Sequence, residues 1–125
     1  MPAVGRGAKF GLGPEARLRA RREFARVFSD GRKVGGRGAI VWHYTLPASR
    51  QRPRLGLSVT AKVGGAVLRA RLKRLAREAF RLNRDRLKEG SDVVVCLRPG
   101  CRWKSFAEAE RQLMELFGKA GLLAR

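Results

Sequence analysis

The chain has 125 residues, 29 Lys or Arg against 10 Asp or Glu, and a formal net charge of +19. A hydrophobic share of 44% excludes a disordered basic tail, so an ordered core has to coexist with a strongly positive surface. The length allows one compact domain, and no apolar run approaches the ~20 residues that a membrane-spanning helix needs.

Residues 1–13 hold four glycines and two basic side chains without periodicity, and they read as a mobile basic arm. The start has no apolar core of a secretory signal, which predicts a cytoplasmic protein. From Pro14 to Asp30, the spacing of Leu18, Phe24, Val27 and Phe28 predicts a short first helix, with Gly31 placed to stop it. Residues 39–46, AIVWHYTL, are β-branched and aromatic and end at Pro47. They predict a strand with Ile40, Trp42 and Tyr44 on one face and Val41 and His43 on the other. Residues 54–60 predict the next strand, and Gly64-Gly65 separate it from a helix.

That helix carries the strongest signal in the chain. At 100° per residue, Leu68, Leu72, Leu75, Ala76 and Ala79 share one side and should dock on the strand Leu55–Val59, while Lys73, Arg74, Arg77 and Arg81 cluster opposite. Between residues 69 and 86, eight Arg or Lys meet only Glu78 and Asp85, a face that repels itself unless an anion sits on it. In isolation such a run is a solvated helix surface. In a chain of this charge a nucleic acid is the simplest partner, and the helix lacks the aromatic face suited to lipid. Gly90 is placed to end the helix, residues 92–98 predict a buried strand, and Ser105 with Glu108 forms a capping box. Phe106, Ala109, Leu113, Leu116 and Phe117 then keep helical spacing. The result is one α+β domain over residues 14–118 with a short tail, 119–125: helix, two or three strands, helix, strand, helix.

Reactive groups are sparse. His43 is the single histidine and sits mid-strand, where a structural role is the simpler reading. Cys96 and Cys101 have no His or Cys partners at zinc-ligand spacing, and Gly64-Gly65-Ala66 lacks the Gly-Lys-Ser/Thr ending of a phosphate-binding loop. No catalytic residue is expected on the protein.

Two stretches carry a family resemblance. R-L-G-L-S-V-x-x-K-V-G-x-A-V-x-R-x-R-x-K-R-x-x-R-E-A-F-R, from Arg54 to Arg81, closely resembles the strand and basic helix of the bacterial ribonuclease P protein component, and R-x-E-F-x-x-V-F-x-x-G, from Arg21 to Gly31, resembles its first helix. The resemblance covers about residues 17–118. It implies the order α-β-β-β-α-β-α, a fold similar to domain 2 of ribosomal protein S5, and a left-handed βαβ crossover in place of the usual right-handed one. It further implies a subunit of a ribonucleoprotein endonuclease that removes the 5′ leader of precursor tRNA. Catalysis would belong to the RNA subunit and its Mg²⁺, with no dedicated metal site on the protein and no obligate protein partner.

Carried over by motif, the catalytic-RNA-binding residues are Arg69, Arg71, Lys73, Arg74, Arg77 and Arg81. The leader cleft is Phe24, Phe28, Trp42, Ser58 and Lys62, where stacking suits unpaired bases. The alternative for Phe24 and Phe28 is core packing. Three positions depart from the pattern: Ala70 replaces an Asn, Ala61 a Lys and Gly65 an Asn. Arg outnumbers Lys 22 to 7, and guanidinium groups grip phosphate bidentately. Two competing readings are a ribosomal or other structural RNA-binding protein, and a stand-alone nuclease.

Overall fold

The computed structural model describes residues 12–124, so most of the basic arm read from the sequence lies outside the described residues. Three helices, α1 (Arg21–Asp30), α2 (Ala66–Asn83) and α3 (Phe106–Lys119), surround strands β1 (Arg32–Gly35), β2 (Ala39–Thr45), β3 (Arg54–Ser58) and β4 (Ser91–Leu97). The strands form one sheet in the order β1-β2-β4-β3, antiparallel except for the β3–β4 pair. This is the predicted α-β-β-β-α-β-α order.

Alternation in the strands divides the apolar side chains between two faces. Val41, Leu55, Val93, Val95 and Leu97 turn toward α2 and α3 and pack with Leu72, Ala76, Phe80, Leu113 and Phe117 in the main core. The sequence placed the apolar face of α2 on β3; the structure shares it between the sheet and α3. The other sheet face is covered only by α1, through a smaller cluster of Leu18, Val27 and Val94.

Leu55 fixes the hand of the β3–α2–β4 connection. Its side chain faces α2, while its carbonyl accepts the Leu18 N–H (2.9 Å) on the outer edge of β3. Seen from the α2 side with β3 running upward, the carbonyl of an L-residue facing the viewer points right, so β4 lies to the left. The crossover is left-handed, against the general preference.

Several boundaries differ from the sequence reading. The first helix starts at Arg21, because Pro14–Ala16 form a separate 3-10 turn and Arg17 bridges to Leu55 along the edge of β3. The basic helix ends at Asn83 and not at Gly90. Gly90 instead makes the turn into β4 at φ +83°, where a Cβ would stand 2.7 Å from the Leu46 carbonyl oxygen. The domain limits also widen. Leu12 and Leu122, assigned to arm and tail, are both buried in the main core.

An ion network seats α1. Arg54 donates Nε and Nη2 to the two oxygens of Asp92 (2.9 Å each) and Nη1 to Glu23 (2.9 Å). Glu23 Oε1 accepts the amides of Arg19 and Ala20 at the helix start (2.8 and 3.0 Å), and Arg26 adds a bond to Asp92 (3.0 Å) from above the Tyr44 ring. The backbone amides, and then the Arg54 charge, hold the Glu23 carboxyl below its ordinary range. Its stabilising contribution is therefore complete above the unfolded-state pKa and fades as pH falls through the lower folded value.

Asp92 is nearly buried, so Asp92→Asn leaves a desolvated guanidinium and is expected to cost about 3 kcal/mol in urea unfolding. Glu23→Gln should reduce the loss of stability between pH 5 and pH 3, measured by the same titration at stepped pH.

Candidate nucleic-acid interface

The face under α1 carries Phe24, Phe28 and Trp42, three of the residues expected in the cleft. Register places Lys33, Trp42, Val94 and Gly56 in one row across the four strands, and Ile40, Cys96 and Ser58 in the next. Phe24 and Phe28, one turn apart on α1, reach different parts of it. The Phe24 ring lies on Gly56 so closely that a Cβ there would stand 2.6 Å from it. Phe28 is 40% exposed and meets Trp42 edge-on, with ring centroids 5.2 Å apart at 80°. Lys33 Nζ lies 5.3 Å from the centroid of Trp42, a cation over an aromatic face. Ser58 is half-buried beside Cys96, and Lys62 is exposed on the 3-10 turn Ala61–Val63 beyond β3.

Phe28 and the half-buried Trp42 form an aromatic pair whose outer member is exposed, while Trp42 and Phe24 both pack against the small core, Phe24 also closing over Gly56. Lys33 is a member of this site that the sequence analysis did not include. Its signal lay in the β1–β2 register, which composition alone does not reveal.

Six predicted RNA contacts on α2 sort into two groups. Arg69 donates Nε to the Gly64 carbonyl (3.0 Å), Arg71 donates Nη1 to the Trp103 carbonyl (2.6 Å), and Arg81 grips Glu78 through two bonds (2.9 and 2.8 Å). Arg69 and Arg71 thus bond to backbone carbonyls, and Arg81 is paired along its own helix. Arg84, counted in the same basic run, is buried and donates to the Pro53 carbonyl (2.7 Å). Lys73, Arg74 and Arg77 form no ion pair among the described residues, and Arg74 is exposed beside the exposed Ala70.

One cavity joins the helix to the cleft. A space of about 260 Å³ is lined by Phe24, Gly56, Arg17, Arg19, Lys73 and Arg77, with no carboxylate on its walls. Burial, and then the nearby charge of Arg17, lowers the pKa of Arg77. Four cations therefore converge on an aromatic wall without a counterion, an arrangement suited to phosphate. Arg17 and Arg19 were also missed, because the segment before α1 was read as helix.

Protein chemistry is limited in this region. Burial raises the thiol pKa of Cys96 and of Cys101, keeping both protonated near neutrality. Among the described residues no group of three or more His, Cys, Asp or Glu side chains is arranged to hold a metal ion.

A mixed four-stranded sheet, three helices and an unbalanced basic face define a small basic α+β protein. The model of the ribonuclease P family matches residues 12–121. Among curated relatives, the ribonuclease P protein component of Clostridium acetobutylicum is 38% identical over 109 residues, covering 87% of this chain and 92% of its own, and that of Shouchella clausii is 41% identical over 111 residues, covering 88% and 89%. Among solved structures, the Staphylococcus aureus ribonuclease P protein superposes with a TM-score of 0.77 at 26% identity, covering 86% of this chain and 97% of that one, and the Thermotoga maritima protein with 0.69 at 30%, covering 82% and 96%. The chain belongs to the ribonuclease P protein family, the protein subunits of the ribonucleoprotein that processes the 5′ end of tRNA.

Gly56→Ala tests the cleft geometry. The new methyl must displace the Phe24 ring, and the variant is expected to lose about 1–3 kcal/mol of stability with the fold retained. Chemical unfolding followed by circular dichroism measures the loss.

Proposed function

We propose that the open half of the sheet binds the single-stranded 5′ leader of precursor tRNA while the outer face of α2 binds the catalytic RNA. The aromatic shelf of Phe28 and Trp42 offers a stacking surface that tolerates any base, worth roughly 1–3 kcal/mol per base, and Lys33 supplies a cation beside it. Lys73, Arg74 and Arg77 are the cations of α2 left for RNA phosphates, with Arg17 and Arg19 bridging toward the leader through the Phe24 cavity. Arg71 ties α2 to the segment before α3, Arg69 closes the turn that starts α2, and Arg81 pairs with Glu78 along the helix. Ser58 and Lys62 extend the leader path past the end of β3.

The observation that carries this reading is the Phe28–Trp42 pair on the same sheet face as an acid-free cavity in which Phe24 meets Arg17, Arg19, Lys73 and Arg77. A ribosomal-type protein needs the cations but not the shelf. Mg²⁺ needed for hydrolysis belongs in this reading to the catalytic RNA, since a protein of charge +19 repels free cations. The protein then works in the cytoplasm with RNA as its partner, by positioning substrate and not by bond-breaking chemistry.

In a folded Trp42→Ala variant, affinity for precursor tRNA in the assembled ribonucleoprotein is expected to fall by roughly 1–3 kcal/mol while affinity for mature tRNA holds. Arg74→Ala with Arg77→Ala should instead weaken binding to the catalytic RNA and flatten its log–log salt dependence by about 0.7–0.9 per lost contact. Equal effects of Trp42→Ala on both tRNAs reject the leader shelf; an unchanged salt slope rejects the helix face.

A further inference from the structure

A second basic cavity lies at the β1 edge of the sheet. Its volume is about 480 Å³, and its walls include Arg32 and Lys33 of β1, His43 and Tyr44 of β2, Lys88 before β4, Lys119 at the end of α3 and Asp30 at the end of α1. Arg32 is the direct cross-strand partner of His43, and Val93 flanks His43 on β4. Arg32, Lys88 and Lys119 form no ion pair among the described residues, and the Asp30 carboxylate accepts only the neighbouring Ser29 hydroxyl there (3.2 Å). Burial, followed by the charges of Arg32 and Lys88, holds the His43 imidazole below its ordinary pKa. The two cations thus act on one point, which a phosphate oxyanion entering the cavity would neutralise. The carbonyl end of α3 accounts in part for Lys119 but for neither of the others.

We propose that this cavity is a second phosphate-binding site of the protein, which receives a backbone phosphate of an RNA strand and takes up a proton on His43 as it fills. Arg32 and His43 point to the face of the sheet away from Trp42, and the cavity meets the leader shelf only at the β1 edge, where Lys33 and Tyr44 border it. Arg32, Lys88 and Lys119, which carry the proposal, are not part of that shelf. A phosphate between Arg32 and Lys88 replaces repulsion of the imidazolium by attraction. The ligand therefore favours His43⁺, and the proton favours the ligand.

His43 is the only histidine of the chain, so its imidazole proton resonance is a unique probe. Full-length protein is titrated in pH at low salt, alone, with inorganic phosphate, and with a short single strand of poly(U). The expected result is a low midpoint in the free protein that rises by about one unit with saturating poly(U), and binding to the cavity about tenfold tighter on the acid side of the transition. Inorganic phosphate should produce the shift only at much higher concentration. In Arg32→Gln/Lys88→Gln/Lys119→Gln, circular dichroism should show the fold intact. There the free midpoint should rise toward the ordinary value, and the ligand-induced shift should vanish. A charge-matched control, Arg22→Gln/Arg50→Gln/Lys104→Gln, should keep the shift. No shift with poly(U), a full-sized shift surviving the cavity variant, or equal loss in the control would overturn the site. Saturation by inorganic phosphate without response to poly(U) would overturn its assignment to RNA.

Discussion

The bidentate pair of Arg54 and Asp92 is the contact on which the cleft depends. It ties β3 to β4 at the edge of the sheet and, through Glu23 and Arg26, holds α1 across a face that has only a small apolar cluster of its own. With α1 seated, Phe28 stands against Trp42 and Phe24 covers Gly56; without it, neither wall of the cleft has a position. A buried ion network adds little to stability compared with an apolar replacement, but its directional bonds specify one placement of the helix. The main core needs no such device, since Phe80, Leu113 and Phe117 are fully enclosed between sheet and helices.

The net charge is handled by division of labour among the basic residues. Some are spent on carbonyls and carboxylates inside the fold, as with Arg54, Arg71, Arg81 and Arg84. Others, including Lys73, Arg74 and Arg77, form no ion pair among the described residues. A helical wheel cannot separate these groups, because the acceptors for Arg69 and Arg71 are backbone carbonyls from the turn before α2 and from the segment before α3. Ala70 fits the same picture. It is exposed one turn before the exposed Arg74, in a row whose polar groups are guanidinium side chains.

Much of the architecture was legible because local signals agreed. The β-branched runs of β2 and β4, the 3.6-residue period of α2, and Ser105 at the start of α3, whose hydroxyl accepts the Glu108 N–H (3.2 Å), all point the same way locally and globally. What stayed hidden depends on contacts distant in sequence. Leu18 pairs with Leu55, which ended the helical reading of residues 14–20 and, with the Leu55 side chain, sets the left-handed crossover. The exposure of Phe28 and the half-burial of Phe24 follow from how α1 lies on the sheet, which spacing along α1 does not reveal. Lys33, Arg17 and Arg19 joined the candidate site only once register and edge pairing were known.

The central claim is that the protein supplies binding and leaves bond cleavage to RNA. Cleavage of precursor tRNA measured with the protein alone, with the catalytic RNA alone and with both, at low Mg²⁺, tests it most directly. The account predicts accurate 5′ processing only when both are present, with the protein alone inactive at any Mg²⁺ concentration. Site-specific cleavage by the protein alone, or no gain on adding it to the RNA at low Mg²⁺, would contradict the account.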